Sequence, residues 1–360
     1  MTPLAARLVR QIAATGPMTV ADYMTACLLH PTLGYYATRD PLGAEGDFIT
    51  APEISQMFGE LVGLALAQAW IDRGAPAPVA LVELGPGRGT LMADALRATR
   101  GVPGFHGAVR LHLVEASAPL RAEQARRLGP FAPEWHADIA TLPDLPLLLI
   151  ANEFFDALPV RQFLREGDGW RERMVTVREG ALTFALGPAQ PMPELAARRQ
   201  DTRDGDMVET SAPAAALAAM LGAQIARNGG AALIVDYGSE GSRGDTLQAV
   251  RAHRKEGPLD TPGGADLTAH VDFAALAAAA PCHTTAAIPQ GVWLERLGIT
   301  RRAQVLARGL TGAALDDHIA AHRRLTHPQE MGNLFLAMAL SDDAGPPPGL
   351  TAAAAPELAR

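Results

Sequence analysis

Residues 82–90 read Val-Glu-Leu-Gly-Pro-Gly-Arg-Gly-Thr and join an apolar run to a segment with helical periodicity. The apolar run, 79–84, predicts a buried strand, and residues 89–100 are typical of a helix. Glycines at such a turn allow a tight bend and a close approach of the backbone to a ligand. The helix that follows presents free N–H groups, which favour an anion. The stretch therefore predicts a ligand-binding loop at the carboxyl end of a strand.

The spacing of the glycines narrows the class of ligand. The pattern is Gly-x-Gly-x-Gly, with Glu83 two residues before the first glycine. A dinucleotide-binding fingerprint needs a third glycine at position 90, where this chain has Thr90, and the Lys-Ser/Thr pair of a phosphate-binding P-loop is absent. A nucleotide-dependent oxidoreductase is therefore disfavoured.

The alternation of patterns along the chain predicts an α/β fold. Short apolar runs at 109–114, 147–151 and 231–235 alternate with helical patterns at 119–128 and 213–227. Alternation of this kind is typical of a doubly wound, mostly parallel sheet with helices on both faces. We therefore expect one such sheet to form the core.

Residues 157–190 interrupt the alternation. Their β-rich runs at 160–164, 170–177 and 181–185 are separated by turn sequences such as Asp168-Gly169, which predicts antiparallel hairpins in an insertion. We expect five segments: an N-terminal helical cover (1–75), the ligand-binding half of the core (76–156), a substrate-side insertion (157–228), the second half of the core (229–340) and a proline-containing, mobile tail (341–360).

Composition excludes several classes of protein. The 360 residues include 31 Lys and Arg against 39 Asp and Glu, and this net charge of −8 argues against a nucleic-acid partner. No run of 18 apolar residues occurs, so we expect no integral membrane segment. Cys27 and Cys282 are too few for a disulfide framework, and His253, His283 and His327 lack metal-ligand spacing, so no metal site is predicted. A globular enzyme of a reducing compartment is the expectation.

The glycine loop resembles a known motif. Its pattern acid-Leu-Gly-x-Gly-x-Gly is similar to motif I of class I S-adenosylmethionine-dependent methyltransferases. The resemblance implies that the cofactor is held by the loop residues Glu83, Gly85, Pro86, Gly87, Gly89 and Thr90. It further implies that Glu115, beside Ala116, binds the ribose hydroxyls and that Asp138 meets the adenine amino group. For each acid taken singly, a surface side chain that caps a strand is the alternative.

An acidic and aromatic segment follows the fourth predicted strand. Residues 151–159 read Ala-Asn-Glu-Phe-Phe-Asp-Ala-Leu-Pro. Ligands bind beyond the carboxyl ends of strands in open α/β sheets, and carboxylates match a guanidinium, so Asn152, Glu153 and Asp156 are candidate catalytic residues. The alternative is a helix N-cap at Asn152 with buried phenylalanines. For an arginine substrate, Glu153 or His270 would accept the proton.

Further segments identify a family. Residues 46–60 read Gly-Asp-Phe-Ile-Thr-Ala-Pro-Glu-Ile-Ser-Gln-Met-Phe-Gly-Glu and are similar to the N-terminal signature of the MidA-type methyltransferases. The similarity covers nearly the whole chain, since it continues through the segments described above and resumes at 235–238, 244–248, 266–273 and 331–332. This family includes a mitochondrial arginine methyltransferase that assists the assembly of respiratory complex I.

The resemblance implies a Rossmann-like class I methyltransferase core, S-adenosylmethionine as cofactor and S-adenosylhomocysteine as product. It implies a protein substrate with an accessible arginine, such as a complex I subunit, with symmetric dimethylation as one outcome. Closure over the cofactor is implied for four residues: Thr50, Pro52, Glu53 and Gln56. Because Asp236 and Tyr237 end a predicted strand, we expect them to face the substrate; the alternative is a turn with Tyr237 packed in the core. The carboxylate of Asp272 would tune His270 as a proton acceptor, with a structural histidine as the alternative.

Two other functions stay open at this point. One is a small-molecule methyltransferase on the same core, and the other is an assembly factor that binds S-adenosylmethionine and acts mainly by binding its partner. A broad acidic groove would favour a protein substrate, and a closed apolar pocket would favour a small molecule. The short spacing of the motifs suits a bacterial, cytoplasmic protein, with the mitochondrial matrix as the location in a eukaryote. An oligomer is compatible with the sequence, and residues 188–212 fit no familiar pattern.

Overall fold

The computed structural model describes residues 1–38 and 50–352. The first four residues of the 46–60 signature lie outside these ranges. The chain divides into two compact units. The first comprises Met1–Phe48, Asp156–Ala214 and Gly241–Asp272, and the second comprises Ile49–Phe155, Ala215–Glu240 and Phe273–Arg360.

The described strands belong to three sheets. In chain order they are β1 (Met18–Thr19), β2 (Val79–Leu84), β3 (Val109–Val114), β4 (Glu134–His136), β5 (Leu147–Asn152), β6 (Arg161–Glu166), β7 (Gly169–Arg178), β8 (Ala181–Gln190), β9 (Met207–Thr210), β10 (Gly230–Ser239), β11 (Gln248–Arg251), β12 (Arg254–Glu256), β13 (Asp266–Thr268), β14 (Val271–Asp272), β15 (His283–Thr284), β16 (Ile288–Pro289) and β17 (Phe335–Ser341).

Several helices begin at a hydroxyl side chain that accepts a backbone N–H, such as Thr2, Thr19, Ser55 and Ser117. The described helices are α1 (Pro3–Thr15), α2 (Val20–Leu29), α3 (Tyr35–Thr38), α4 (Ala51–Ile54), α5 (Gln56–Asp72), α6 (Thr90–Ala98), α7 (Phe105–Ala108), α8 (Ala118–Leu128), α9 (Ala212–Asn228), α10 (Phe273–Ala279), α11 (Gln290–Arg296), α12 (Ile299–Ala307), α13 (Ala313–Thr326) and α14 (Met331–Leu334). Within the described ranges, none of them combines the length and apolar character that crossing a bilayer would require.

The second unit is built on one sheet with the strand order β15-β17-β10-β5-β2-β3-β4. From β10 to β4 the neighbours are parallel, and β17 is antiparallel to β10. The predicted strands 79–84 and 109–114 are confirmed with the same bounds, and those at 147–151 and 231–235 extend further at their ends. Every residue of β2 and β5 is buried, which accounts for their nearly continuous apolar sequence.

The direction of winding reverses at the centre of this sheet. From β2 the chain proceeds outward through β3 to β4, and it then returns to β5 on the other side of β2 and continues to β10. In doubly wound sheets, ligands bind in the crevice beyond the carboxyl ends of the two strands at the reversal. Here these strands end at Leu84 and Asn152, so the glycine loop and the acidic segment leave the sheet at the same edge. The predicted α/β, doubly wound fold is confirmed.

The first unit contains antiparallel sheets. Strands β1, β7, β6 and β9 pair in that order, β8 pairs with β7, and a smaller sheet has the order β12-β11-β13. The hairpins predicted for 157–190 are confirmed, because β6 pairs with β7 and β7 with β8 in antiparallel register. The hydrophobic core of the first unit contains the N-terminal residues Leu8 and Tyr23 together with Val160, Val175 and Leu267. Within 188–212, β9 pairs with β6.

The residues that follow β17 pack against other parts of the second unit, to which they belong, as far as Leu350. The guanidinium of Arg73 pairs with Asp342 at 2.9 Å and donates to the carbonyl of Gly345 at 2.8 Å. The indole N–H of Trp293 donates to the carbonyl of Pro348 at 3.3 Å, and Leu350 is buried. This packing differs from the mobile tail that the composition suggests, and residues 353–360 lie outside the described part of the chain.

Gly230 begins β10, where it is paired with Leu147 of β5. Its φ is +126°, and a Cβ at this position would lie 2.1 Å from the carbonyl oxygen of Leu147. We therefore expect Gly230→Ala to lower the free energy of unfolding by about 3 kcal/mol or more, because strain and overlap add. Urea denaturation followed by circular dichroism measures this loss. In the control Gly298→Ala, φ is also positive but no atom lies within 4 Å, so the loss should be near 1 kcal/mol. Equal losses in the two variants would contradict the expectation.

Candidate functional site

The glycine loop leaves β2 in a conformation that favours glycine. Gly85 has a φ of +59°, and its N–H donates to the carbonyl of Val114 at the end of β3, at 3.0 Å. A Cβ at Gly85 would lie 2.8 Å from the ring of Phe154, so the loop packs against the segment that follows β5. Gly89, with a φ of +74°, is the N-cap residue of α6 and has no side chain with which to cap the helix. The first N–H groups of α6 are therefore suited to an anionic group of a ligand.

Two acids lie at the ends of β2 and β3. Glu83 is 3% exposed, and its Oε2 has no hydrogen-bond partner among the described residues. Burial, followed by the charge of Glu115, raises the pKa of Glu83 to about 8 against the opposing effect of the Met92 N–H. Burial also raises the pKa of Glu115, whose oxygens accept from the N–H of Ser117 at 2.8 Å and from Gln124 at 3.3 Å. Desolvated carboxylates in this arrangement favour a cationic ligand.

Gln124 is a residue of this site that no sequence pattern singles out. Its side chain is fully buried on α8, and Nε2 donates to the carbonyl of Gly87 at 2.7 Å in addition to Glu115. Its Oε1 accepts the indole N–H of Trp135 at 2.8 Å. The amide therefore connects the glycine loop to the acid that follows β3. In the sequence, a glutamine in a helix rich in Arg and Glu is typical of an exposed position.

The acidic segment leaves β5 through a residue in the left-handed region. Glu153 has a φ of +51°, and its N–H donates to the carbonyl of Val235 at 2.9 Å. Its Oε1 accepts from the N–H of Ala51 at 2.9 Å and from Nδ2 of Asn152 at 3.2 Å. Ala51 is the first residue of α4, and the N-cap residue Thr50 makes no side-chain bond, so Glu153 caps this helix. Backbone strain that is held by several bonds is frequent at functional sites.

Asp236 holds the backbone that follows β5. Its side chain is fully buried, and Oδ2 accepts from the N–H groups of Phe154 at 3.1 Å and Phe155 at 3.0 Å. Its Oδ1 accepts from the N–H of Tyr237 at 2.9 Å. Asp236 therefore positions the backbone that follows β5, and its contact with a substrate stays a prediction. Tyr237 packs edge-on against Phe335 in the core.

Four residues predicted to close over a cofactor lie on or next to α4: Thr50, Pro52, Glu53 and Gln56. The carboxylate of Glu53 accepts from the hydroxyl of Thr90 at 2.5 Å, and the guanidinium of Arg127 donates to the same hydroxyl. Gln56 begins α5, and its Oε1 accepts from Arg97 at 3.3 Å. The bond between Glu53 and Thr90 links α4 to the first turn of α6, and the bond between Gln56 and Arg97 links α5 to its last turn.

Asp138 lies after β4, where it begins a short 3-10 helix, Ile139–Thr141. Its Oδ1 accepts from the N–H of Ala140 at 2.9 Å, and the side chain is exposed. Asp138 therefore caps the short helix, as the alternative interpretation expected, and its exposed carboxylate is still accessible to a ligand. Two further predicted cofactor residues flank the loop ends: Pro86 is buried and Ala116 is exposed.

Two predicted catalytic residues, Asp156 and His270, belong to the first unit. The side chain of Asp156 is buried, and its carbonyl accepts from the N–H of Ala269 at 2.9 Å. Burial, followed by the charges of Asp266 and Asp156, raises the pKa of Tyr36, whose hydroxyl donates to Asp266 at 3.1 Å. This cluster of two acids and a phenol brings together residues that lie far apart in the sequence.

The surroundings of His270 differ from the prediction. Burial, followed by the positive charge of Lys255, lowers its pKa, whereas a facing carboxylate would raise it. The oxygens of Asp272, the residue expected to tune it, accept the N–H groups of Gly241 at 3.1 Å and Ser242 at 2.9 Å. The carboxylate therefore holds a turn, and the role of His270 as a proton acceptor stays a prediction.

The raised pKa of Glu83 makes the stability of the protein depend on pH. Because its pKa is about 8 in the fold against an ordinary value of 4.5, the contribution of this group is present below pH 4.5 and is lost as the pH rises to about 8. We expect Glu83→Gln, which mimics the protonated acid, to melt at least about 4 °C above the wild type at pH 9. The difference should shrink toward pH 5. Calorimetry measures both, with the exposed Glu194→Gln as control; a difference that is independent of pH would contradict the expectation.

The three N–H groups that Asp236 accepts also give a test. In Asp236→Asn the amide presents an N–H to backbone donors, so we expect the free energy of unfolding to fall by about 3 kcal/mol. Chemical denaturation measures the loss. Asp138→Asn is the matched control, because its printed bond is to a single N–H at an exposed position, and it should lose less than about 1 kcal/mol. Similar small losses in both variants would contradict the role of Asp236.

Comparison with known proteins gives consistent matches. Residues 61–290 match the family model described as "Putative S-adenosyl-L-methionine-dependent methyltransferase". The chain is 38% identical to the mitochondrial protein arginine methyltransferase NDUFAF7 of Mus musculus, over 94% of this chain and 84% of the relative. The Homo sapiens protein of that name is 36% identical over 94% of this chain and 83% of its own length.

A solved structure also matches. The crystal structure of a Burkholderia thailandensis protein bound to S-adenosyl-homocysteine superposes with a TM-score of 0.81 at 30% identity, over 96% of this chain and 93% of that chain. These matches confirm the predicted MidA-type resemblance, the methyltransferase activity and S-adenosylmethionine as the cofactor. The chain belongs to the family of S-adenosyl-L-methionine-dependent methyltransferases.

Proposed function

We propose that this methyltransferase modifies an arginine of a protein substrate, such as a subunit of respiratory complex I. The observation that carries the proposal is that relatives 36–38% identical over 94% of this chain are named protein arginine methyltransferases. An acceptor segment with the carboxylate of Glu153 suits the planar guanidinium of such a substrate. Symmetric dimethylation is one outcome of the reaction. The location, bacterial cytoplasm or mitochondrial matrix, would follow from that substrate.

The side chains at the ends of β2 and β5 suit S-adenosylmethionine. Two buried oxygens have no partner among the described residues: Glu83 Oε2 and Asn152 Oδ1. Asn152 Oδ1 is an acceptor, and Glu83 Oε2 is one when a positive charge nearby favours the ionised acid. This cofactor brings an ammonium group, ribose hydroxyls and a positively charged sulfur, which acceptors and acids favour. A dinucleotide would instead place the negative charge of its pyrophosphate near Glu83 and Glu115, where the local charge is unfavourable.

We assign cofactor binding to three groups of residues. The loop supplies Gly85, Pro86, Gly87, Gly89 and Thr90. The strand ends supply Glu83, Glu115, Ala116, Asp138 and Asn152. The segment around α4 supplies Thr50, Pro52, Glu53 and Gln56. To these we add Gln124, whose bonds to Gly87 and Glu115 would fix the distance between the loop and the ribose-binding acid.

The proposed chemistry places Glu153 beside the acceptor nitrogen. The bound cofactor supplies a methyl group on a positively charged sulfur. Two N–H donors, from Ala51 and Asn152, hold Glu153 Oε1, so the carboxylate has a fixed direction. A fixed carboxylate can orient a guanidinium, and alignment of this kind is a large part of the rate gain in a displacement reaction. The same carboxylate would receive the proton that the arginine loses as the new bond forms.

Asp156 and His270 remain proposed contributors on the substrate side. A lowered pKa keeps the imidazole of His270 neutral at pH 7, and a neutral imidazole can accept a proton. Asp156 shares its surroundings with Asp266 and Tyr36, and this cluster of acids suits a cationic group.

The class of substrate is tested with methyl-labelled S-adenosylmethionine. The purified protein is incubated with the label and a cell lysate, and the labelled species are identified by mass spectrometry. Label on arginine of a protein supports the proposal, and label on a metabolite would favour a small-molecule methyltransferase. Binding of S-adenosylhomocysteine by calorimetry with no label on any species would favour a factor that acts by binding its partner.

The role of Glu153 is tested by Glu153→Gln. We expect label transfer to fall by about 100-fold or more, because the amide cannot accept the proton, whereas the affinity for S-adenosylhomocysteine stays near that of the wild type. The amide oxygen can still accept the N–H of Ala51, so the fold should persist. Glu194→Gln, an exposed control, should keep full activity. Full activity in Glu153→Gln would reject its catalytic role without affecting the family assignment.

A further inference from the structure

A cluster of two histidines and a glutamate lies on β3 and β4, at the edge of the sheet of the second unit. His112 is paired with Glu134 in the parallel register, and His136 lies two residues further along β4. Because paired residues and residues two apart share a face, the three side chains stand on one face of the sheet. Within residues 1–38 and 50–352, this is the one group of His, Cys, Asp and Glu side chains whose ligand atoms all lie within 4.8 Å of one another.

The distances in this cluster are close to those of a metal site. His112 Nδ1 lies 3.0 Å from His136 Nε2, and the Glu134 oxygens lie 3.8 Å and 4.0 Å from these two nitrogens. A tetrahedral Zn²⁺ with bonds of about 2.0–2.1 Å sets its ligand atoms about 3.3 Å apart. Each observed separation is within about 0.7 Å of that value. Rotation of the Glu134 side chain, which is 68% exposed, can remove the difference.

The hydrogen bonds around His136 fix the tautomer that a metal ligand needs. Its Nδ1 lies 2.9 Å from the hydroxyl of Thr141, and that hydroxyl donates to the carbonyl of Asp138 at 2.7 Å. The hydroxyl must therefore accept from Nδ1–H, and the lone pair is on Nε2, which faces the cluster. Histidine ligands are commonly oriented by such a bond from their second nitrogen.

A hydrogen bond between the two imidazoles is the competing explanation of the 3.0 Å distance. In that case His112 Nδ1 carries a proton and donates it to His136 Nε2, and Glu134 takes no part. In a metal site both nitrogens present lone pairs, and the carboxylate supplies the third ligand and a compensating charge. The two explanations therefore differ in whether Glu134 is needed.

We propose that His112, Glu134 and His136 bind a zinc ion, with water completing the coordination on the exposed side. Imidazole and carboxylate ligands suit Zn²⁺. The ion would link the edge strand β4 to β3. Since the carbonyl of His136 accepts the N–H of Glu115 at 3.0 Å, the same link would stiffen the backbone where Glu115 leaves β3. The proposal revises the expectation of no metal site, and it does not rest on the proposed substrate.

The site is tested on the untagged, EDTA-treated full chain. We expect calorimetry to show one equivalent of Zn²⁺ bound, Co²⁺ to give visible absorption bands typical of four-coordination, and Zn²⁺ to raise the melting temperature. Glu134→Gln and His112→Asn should each weaken binding by at least about tenfold, because loss of a ligand costs no less than loss of its supporting bond. Because Glu134 is exposed, its substitution should leave the fold intact. A loss of Zn²⁺ affinity in Glu134→Gln therefore reports on the ligand and not on unfolding.

The control is His322→Asn, which removes a histidine 3.7 Å from a different glutamate, Glu295. Binding in this variant should equal that of the wild type. Absence of saturable Zn²⁺ binding to the wild type would overturn the proposal, and so would an unchanged affinity in Glu134→Gln. Both results would leave a hydrogen-bonded histidine pair. Loss of binding in His322→Asn with retention in Glu134→Gln would also overturn it, because the metal would then bind elsewhere.

Discussion

The parallel pairing of β2 with β5 is the interaction on which the candidate site depends. The register places Leu84 beside Ala151, so the two strands end at the same level and the glycine loop begins next to Asn152. The neighbouring strands hold the residues that directly follow β2 and β5. The N–H of Gly85 donates to the end of β3, and the N–H of Glu153 donates to β10. The composition of the site is thus a consequence of strand register, since segments far apart in sequence become adjacent only through this pairing.

The electrostatics of the site follow from burying acids at that edge. A net charge of −8 argues against a nucleic-acid partner, but it does not show where in the fold the acidic residues lie. The fold concentrates Glu83, Glu115 and Glu153 in one unit, and burial makes the ionised form of the first two costly. A cationic ligand relieves this cost, whereas an anionic ligand would increase it. Desolvation of these acids at the edge of the sheet therefore favours a positively charged ligand.

The sequence predicts the features that depend on local patterns. The strand 79–84, the hairpins after Glu153 and the glycine loop follow from apolar runs and turn residues, and the structure has them at those positions. What could not be predicted depends on which segments meet. Three features depend on the register of neighbouring elements: Gln124 is buried, backbone N–H groups bond to the carboxylate of Asp236, and His112 contacts His136, which lies 24 residues away in the sequence. The positioning role of Asp236 was missed for that reason.

The side-chain amide of Gln124 bonds to three different groups. Its nitrogen donates to Gly87 and Glu115, and its oxygen accepts from Trp135. A glutamate at this position would lose both donors, and a leucine would leave a loop carbonyl, a carboxylate and an indole without their common partner. These three groups can therefore diverge during evolution only together with position 124. A list of ligand contacts would not include this constraint. The geometry of the glycine loop therefore depends on how α8, which carries Gln124, packs against it.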